Sequence, residues 1–355
     1  MGGAFEAALQ IMIARHTSTI RPDGVARAPA QARTHRSFLP QLAALVLSTC
    51  AVVCAAQDYP SRPVRVIVAF TAGGTTDVLA RSIGAQLAER FRQPFVIDNR
   101  PGAGGNIGTE MAVRAAPDGY TLIVDSVGPI AINPTLYKKL DYNPIADLVP
   151  IVQIADVPNV LVVHPSLPAT TVAEFVAYAK INPGKLSYAS TGIGTSSHLS
   201  GFMLSQQARF EAVHIPYKGA EALNDLLSGR VQFMFATIPS VIAHVRADKL
   251  RAIAVTSPTR SRSMPDVPTV AESGYPGFAA GSWFGFFAPK GTAEIVIAQI
   301  NKGVNDAIAV PAVSQQLVQE GADPVGGTPA QFRDFVQREY EKWRTVVRAS
   351  GATVE

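Results

Sequence analysis

Three short stretches combine glycines and hydroxyls at the end of an apolar or half-apolar run. The first is FTAGGTTD, Phe70 to Asp77. The second is RPGAGGNIG, Arg100 to Gly108, with four glycines in the seven residues from Gly102. The third is SYASTGIGTSSH, Ser187 to His198. Glycine lets backbone N–H groups approach an anion, a helix starting just beyond the loop adds partial positive charge, and Ser or Thr supplies further donors. No Lys or Arg lies inside the three stretches, apart from Arg100 at the edge of the second. An anion held here would meet neutral donors, which favours a small carboxylate over a polyphosphate, because polyphosphates recruit Lys, Arg or a metal.

The nucleotide motifs fail on spacing. A dinucleotide fingerprint counted from Gly102 requires glycine at the sixth position, where Ile107 stands. No glycine loop is followed by Gly-Lys-Ser/Thr. Asp77 is an acid inside an anion-binding pattern. It suits the first turn of a helix, where it complements the dipole, or it fixes the loop, or it meets an ammonium or hydroxyl on a ligand; Arg81, four residues on, is placed to pair with it.

Catalytic constellations are absent from the sequence. No serine has the G-x-S-x-G surroundings of an α/β-hydrolase nucleophile. Ser196, Ser197 and His198 are adjacent, and neighbours on a helix point to different sides, so His198 is expected to pack or cap. His164, His214 and His244 are scattered, with no H-x-H or H-E-x-x-H, so no metal and no cofactor are expected. Trp283, Phe284, Phe286 and Phe287 read as a strand core.

The elements that must position these loops alternate. VRVIVAF, from Val64, is a short apolar run of the kind covered on both faces. A helix is expected over residues 75–91, with Leu79, Ile83, Leu87 and Phe91 on one stripe. FVID, the second glycine stretch, a helix over 106–116, a PDG turn and YTLIV follow. The middle repeats the scheme: a capping box at Thr171/Glu174 opens a helix, KLSYAS is a strand, and a helix starts near Ser196. AVHIPY, VQFMFA and LRAIAVT are further strands, and late helices start near Thr292 and at Thr328, the latter with Pro329 and a Gln331 capping box. This alternation implies an α/β protein with largely parallel sheets in two domains, crossing near Ala155–Val160 and returning near Gly281–Phe287.

Composition sets the frame. The chain has 355 residues, 16% charged and 47% hydrophobic, and a net charge of +4 without a basic cluster interleaved with aromatics, so nucleic acid is excluded as a partner. The start differs from the rest. RTHRSFLPQLAALVLSTCAVVCAAQ has a basic beginning, an apolar run from about Leu42 to Val53 and a small-residue end, the grammar of an export signal cleaved after Ala56. The run is shorter than the roughly 20 apolar residues that span a bilayer. Residues before Arg33 fit such a signal poorly and suggest that translation starts further downstream. Cys50 and Cys54 lie inside the apolar run, and Thr49 and Val53 before them suit a lipoprotein badly. The exported chain would then have neither thiol nor disulfide.

A family resemblance rests on residues spread over nearly the whole exported chain, Tyr59 to Gly351. YPSRPVRVIVAF, DNRPGAGGNIGTE, AAPDGYTL, NPGKLSYASTGIGTSSHL, IPYKGAEALNDLLSG and LRAIAVTSPTRSRSMPDVPTVAESG resemble, in order, the substrate-binding proteins of tripartite tricarboxylate transporters, the periplasmic Bug receptors. The resemblance implies a type II-like two-lobed periplasmic-binding-protein fold, two Rossmann-like domains joined by two crossover segments. Lobe 1 would comprise 57–158 and 282–355, and lobe 2 159–281, with residues 1–56 a leader. It implies a monomer that takes a carboxylate through the first and third loops with ordered waters. Carried over by motif, the ligand-binding residues are Phe70, Ala72, Gly73, Thr75, Thr76 and Asp77; Gly105 and Asn106 as a wall; Ser190, Gly194, Thr195 and Ser196; and Tyr217, Lys218 and Gly219. The first loop departs from the family, which usually has Pro and Gly where Thr71 and Thr75 stand, so di- and tricarboxylates, aromatic acids and amino acids all stay open. The expected partners are the transporter's membrane subunits; a membrane sensor kinase is the rival, and a periplasmic hydrolase the third reading.

Overall fold

The computed structural model describes residues 59–217 and 221–355. The expected leader, residues 1–56, and Lys218 and Gly219 lie outside them. Strand β1 (Val64–Val68) joins helix α1 (Thr75–Phe91), β2 (Phe95–Asn99), α2 (Asn106–Val113) and β3 (Thr121–Ser126). Arg65 apart, β1 is apolar on both faces because both are covered. Val64, Val66 and Val68 pack with Leu79, Ile83 and Leu87 of α1, while Ile67 belongs to a second buried cluster with Ala112 and Ile130. After β3 a single π-turn (Gly128–Ile132) and two short helices, α3 (Asn133–Leu136) and α4 (Pro144–Asp147), lead into β4 (Leu148–Val163).

The middle of the chain supplies α5 (Val172–Ile181), β5 (Ser187–Ser190), α6 (Ser196–Ala208), β6 (Val213–Pro216), α7 (Glu221–Leu227), β7 (Phe233–Thr237), α8 (Ile238–Arg246) and β8 (Arg251–Val255). Then follow β9 (Gly281–Pro289), α9 (Glu294–Ala309), α10 (Pro311–Gln319), β10 (Asp323–Gly326) and α11 (Pro329–Ser350). The α11 start carries the reciprocal Thr328/Gln331 capping box. At α5 only half of the expected box forms. Thr171 caps Glu174 N, but the Glu174 carboxylate reaches Thr170 N at 2.7 Å instead of Thr171.

The sheet is mixed, not largely parallel. β2-β1-β3 and β7-β5-β6 are parallel groups, and β9 and β4 run antiparallel between them. β4 reaches the first group through β9 and pairs directly with β7 of the second. From Leu148 to Pro158 it pairs with β9, and from Asn159 to Val163 with β7 and β8. Both crossings expected from the sequence thus run through continuous strand. Trp283, Phe284, Phe286 and Phe287 of β9 are buried core, as their pattern predicts.

Candidate ligand-binding site

The first loop leaves β1 and ends at α1. Its helix cap, Gly74, has no side chain, so no side chain takes the first-turn N–H groups of Thr75 and Thr76. Ala72 and Gly73 form the exposed tip, and Gly73 adopts φ +81°. Asp77 holds this tip. Its Oδ2 accepts from Gly73 N and from Arg81 Nε, each at 2.9 Å, and its Oδ1 accepts from Asn99 Nδ2 at 3.0 Å. Asn99 Nδ2 also donates to the Phe70 carbonyl at 3.1 Å. Burial works against ionising Asp77, but the Arg81, Gly73 and Asn99 bonds outweigh it and hold its carboxyl below the usual range. Of the roles open to Asp77, fixing the loop and pairing with Arg81 are the ones the structure displays.

The second loop packs against the first. Gly105 has φ +98°, and a β-carbon there would lie 3.1 Å from Phe70 Cζ. At Gly108 one would lie 2.7 Å from Ala69 Cα, so the backbone itself fills the space a side chain would need. The side chain of Asn106, expected to wall a cleft, is buried: its Oδ1 accepts from Asn133 Nδ2 at 2.6 Å and lies 2.9 Å from the Tyr142 hydroxyl. Below it, Thr109 Oγ1 lies 3.0 Å from Gly105 O and 2.6 Å from Asp125 Oδ2. One hydroxyl hydrogen cannot serve two acceptors. Burial pushes the Asp125 carboxyl up to about 7, against the pull of Thr109 and Ser126 N, and a protonated Asp125 donating to Thr109 completes the chain to Gly105 O.

The third loop turns the hydroxyls of Ser190 and Thr195 on itself. Ser190 is fully buried, with Oγ 3.0 Å from Gly192 O and 2.7 Å from His214 Nε2. Thr195 caps α6, accepting from His198 N at 3.3 Å and donating to Gly192 O at 2.8 Å. His198 is buried, as expected, and its Nδ1 accepts from Gly194 N at 3.1 Å. Ser196, at the first turn of α6, lies with Oγ 3.3 Å from Ser282 Oγ of β9. The Tyr217 hydroxyl turns to α7 and donates to Asp225 at 2.7 Å.

One segment brings the loops together. Asn133 Nδ2 donates to Gly104 O at 3.1 Å, and a β-carbon on Gly104 would lie 2.8 Å from the Tyr137 hydroxyl. Leu136, between them, packs on Gly194 of the third loop. The first two loops share Ala69, Phe70 and Gly105, and α3 links the second to the third. Among the described residues the arginines nearby are engaged: Arg81 with Asp77, and Arg65 and Arg100 with Asp98. The site therefore presents helix N-termini, small residues and hydroxyls. Asn99, Asn133, Leu136, Tyr142 and Ser282 escaped the sequence reading. GPIAINPTLY follows the end of β3, so the rule that placed the other loops at strand ends would have pointed to it.

A family model described as the tripartite tricarboxylate transporter family receptor, TctC, matches residues 79–352. The chain belongs to this receptor family. It is 40% identical over 302 residues to protein BugT of Bordetella pertussis, covering 84% of this chain and 93% of that protein. Among solved structures it is similar to Rpa4515 of R. palustris with adipate, at 38% identity and TM-score 0.74, covering 83% of this chain and all of the other. It is also similar to MatC (Rpa3494) of Rhodopseudomonas palustris with bound malate, at 34% identity and TM-score 0.69, covering 81% and 100%. These TctC neighbours are binding proteins, and the two-lobed α/β architecture read from the residues is theirs.

Proposed function

We propose that the chain is a periplasmic receptor that captures a small dicarboxylate between its first and third loops and delivers it to the membrane subunits of a tripartite transporter. The observation that carries this reading is the pair of helix starts, α1 and α6, on loops joined through α3 and, among the described residues, short of unpaired cations. Each offers first-turn N–H groups to one end of an anion, and neutral donors suit a carboxylate. The adipate with Rpa4515 and the malate bound to MatC support the same class. The lobes would be 57–158 with 282–355, and 159–281, since β4 changes partners between Pro158 and Asn159. Binding requires no bond making, so the reading is of a carrier and not an enzyme.

A thermal-shift series of mono-, di- and tricarboxylates, aromatic acids and acidic amino acids tests it, followed by calorimetry on the best acid. The expected result is one site per chain and a dicarboxylate ahead of its matched monoacid. Stabilisation by non-acidic compounds alone, or turnover of the bound acid, would overturn it.

A further inference from the structure

The two histidines behind the third loop are stacked face to face. The rings of His198 and His214 have centroids 3.8 Å apart at 15°. They come from different elements, α6 and β6, and the phenol of Tyr188 on β5 packs beside both. Each ring holds a different part of the loop. His198 Nδ1 takes Gly194 N, which fixes the proton of this neutral ring on Nε2. His214 Nε2 meets Ser190 Oγ, and Ser190 Oγ in turn accepts from Gly192 N at 3.1 Å and faces Gly192 O. Donation from His214 Nε2–H to Ser190, and from Ser190 to Gly192 O, leaves no oxygen over-subscribed.

We propose that His198 and His214 are positioning residues for the ligand loop, and that a proton taken up by this stack releases the loop, so that ligand is held at neutral pH and let go in acid. A proton on His198 Nδ1 would confront the Gly194 N–H, donor against donor, and the bond that sets the loop would be lost. A second proton on His214 would place two cations face to face at 3.8 Å. Nothing on the neighbouring elements offsets this. Among the described residues the ionisable groups facing the rings are each other and Tyr188, and no carboxylate bears on either. Burial pushes His198 down to about 4, and burial together with the His198 charge does the same to His214. Both rings are therefore neutral where an ordinary histidine would be half protonated, near pH 6.5.

The binding half of this inference rests on the receptor reading above; the proton half does not. The test follows the imidazole and Gly194 amide resonances of the wild-type protein by NMR from pH 7.5 to 4, and in parallel the Kd of the best carboxylate, starting with adipate and malate. Both imidazoles are expected to stay neutral to about pH 5, with the Gly194 amide shifting as His198 titrates. Affinity should fall about two- to fourfold by pH 4, where each ring is about half protonated. In His198→Asn an amide oxygen accepts from Gly194 N at any pH. Whatever the affinity of this variant at neutral pH, its profile should be flatter than that of wild type, and any slope left belongs to ionisation of the acid itself. His198→Asn should also raise the His214 midpoint, because the His198 charge is part of what holds His214 down. Imidazoles titrating near the ordinary value with an unmoved Gly194 amide, or a His198→Asn profile as steep as wild type, would overturn the proposal. If no carboxylate binds at any pH, the receptor reading fails while the titration still decides the state of the stack.

Discussion

Gly194 rests directly on Leu136, so the third loop meets α3 with no room for a side chain. A β-carbon at 194 would lie 2.7 Å from Leu136 Cδ1 and closer still to Cδ2, and the residue has φ +76°. Gly194→Ala should therefore cost about 2–4 kcal/mol, by overpacking and by the left-handed backbone. In a Leu136→Ala background the clash is gone, and only the backbone cost of about 1–2 kcal/mol should remain. Urea denaturation of the four proteins gives the cycle, and an equal cost in both backgrounds would dissociate the two residues.

Removing the Asp77 carboxylate should loosen the first loop. Asp77→Ala removes the acceptor shared by Gly73 N, Arg81 and Asn99 and is expected to cost about 1 kcal/mol and to weaken carboxylate binding. Because the folded carboxyl titrates below its unfolded value, its contribution is present above about pH 4 and lost as pH falls through the folded value. The difference in melting temperature between wild type and variant should shrink below pH 4. A difference constant down to pH 2 would speak against the bonds described.

Thr195 and Ser196 are neighbours with different work. Thr195→Ala removes a helix cap and should cost about 1 kcal/mol of stability. Ser196→Ala touches no cap and should leave the melting temperature nearly unchanged while weakening a diacid more than its matched monoacid. Calorimetry and melting on both single variants separate the effects, and equal losses for diacid and monoacid would remove Ser196 from a two-ended grip.

Asp125 makes the opposite pH signature to Asp77. Its folded value, near 7, lies above that of an unfolded aspartate, so its stabilising protonated form is lost as pH rises from about 4 through 7. Asp125→Asn copies the protonated shape and should gain stability over wild type steadily across that window. Melting curves at intervals of one pH unit show whether the gap widens; a gap independent of pH would mean that Asp125 is ionised throughout.

The loops and α1 were legible because local signals agree: a covered strand, glycines, and a four-residue apolar stripe whose members Leu79, Ile83 and Leu87 are buried. β4 was not legible as one strand. Pro150 and Pro158 interrupt its apolar pattern, and proline in a strand reads as a break. It is tolerated because the register shifts beside Pro150, while Pro158 stands where the partner strands change. The site's inner frame was hidden for another reason. Asn133 and Asn106, or His198 and His214, acquire meaning only from each other, and their pairing is made by packing that no local period encodes. Hydroxyls expected at a ligand, those of Ser190 and Thr195, are instead turned on the loop that carries them.

The paired strands β4 and β9 also set what kind of movement the protein can make. Their rungs run from Leu148 opposite Pro289 to Pro158 opposite Gly281, and β4 then continues into the second group of strands without a loop. Sliding such a ribbon by one residue would break every rung and turn each side chain to the wrong face. Bending and twisting leave the rungs intact. Any relative movement of the two strand groups that keeps these rungs must therefore come as bending or twisting of β4 and β9, spread along their length and not gathered at one loop.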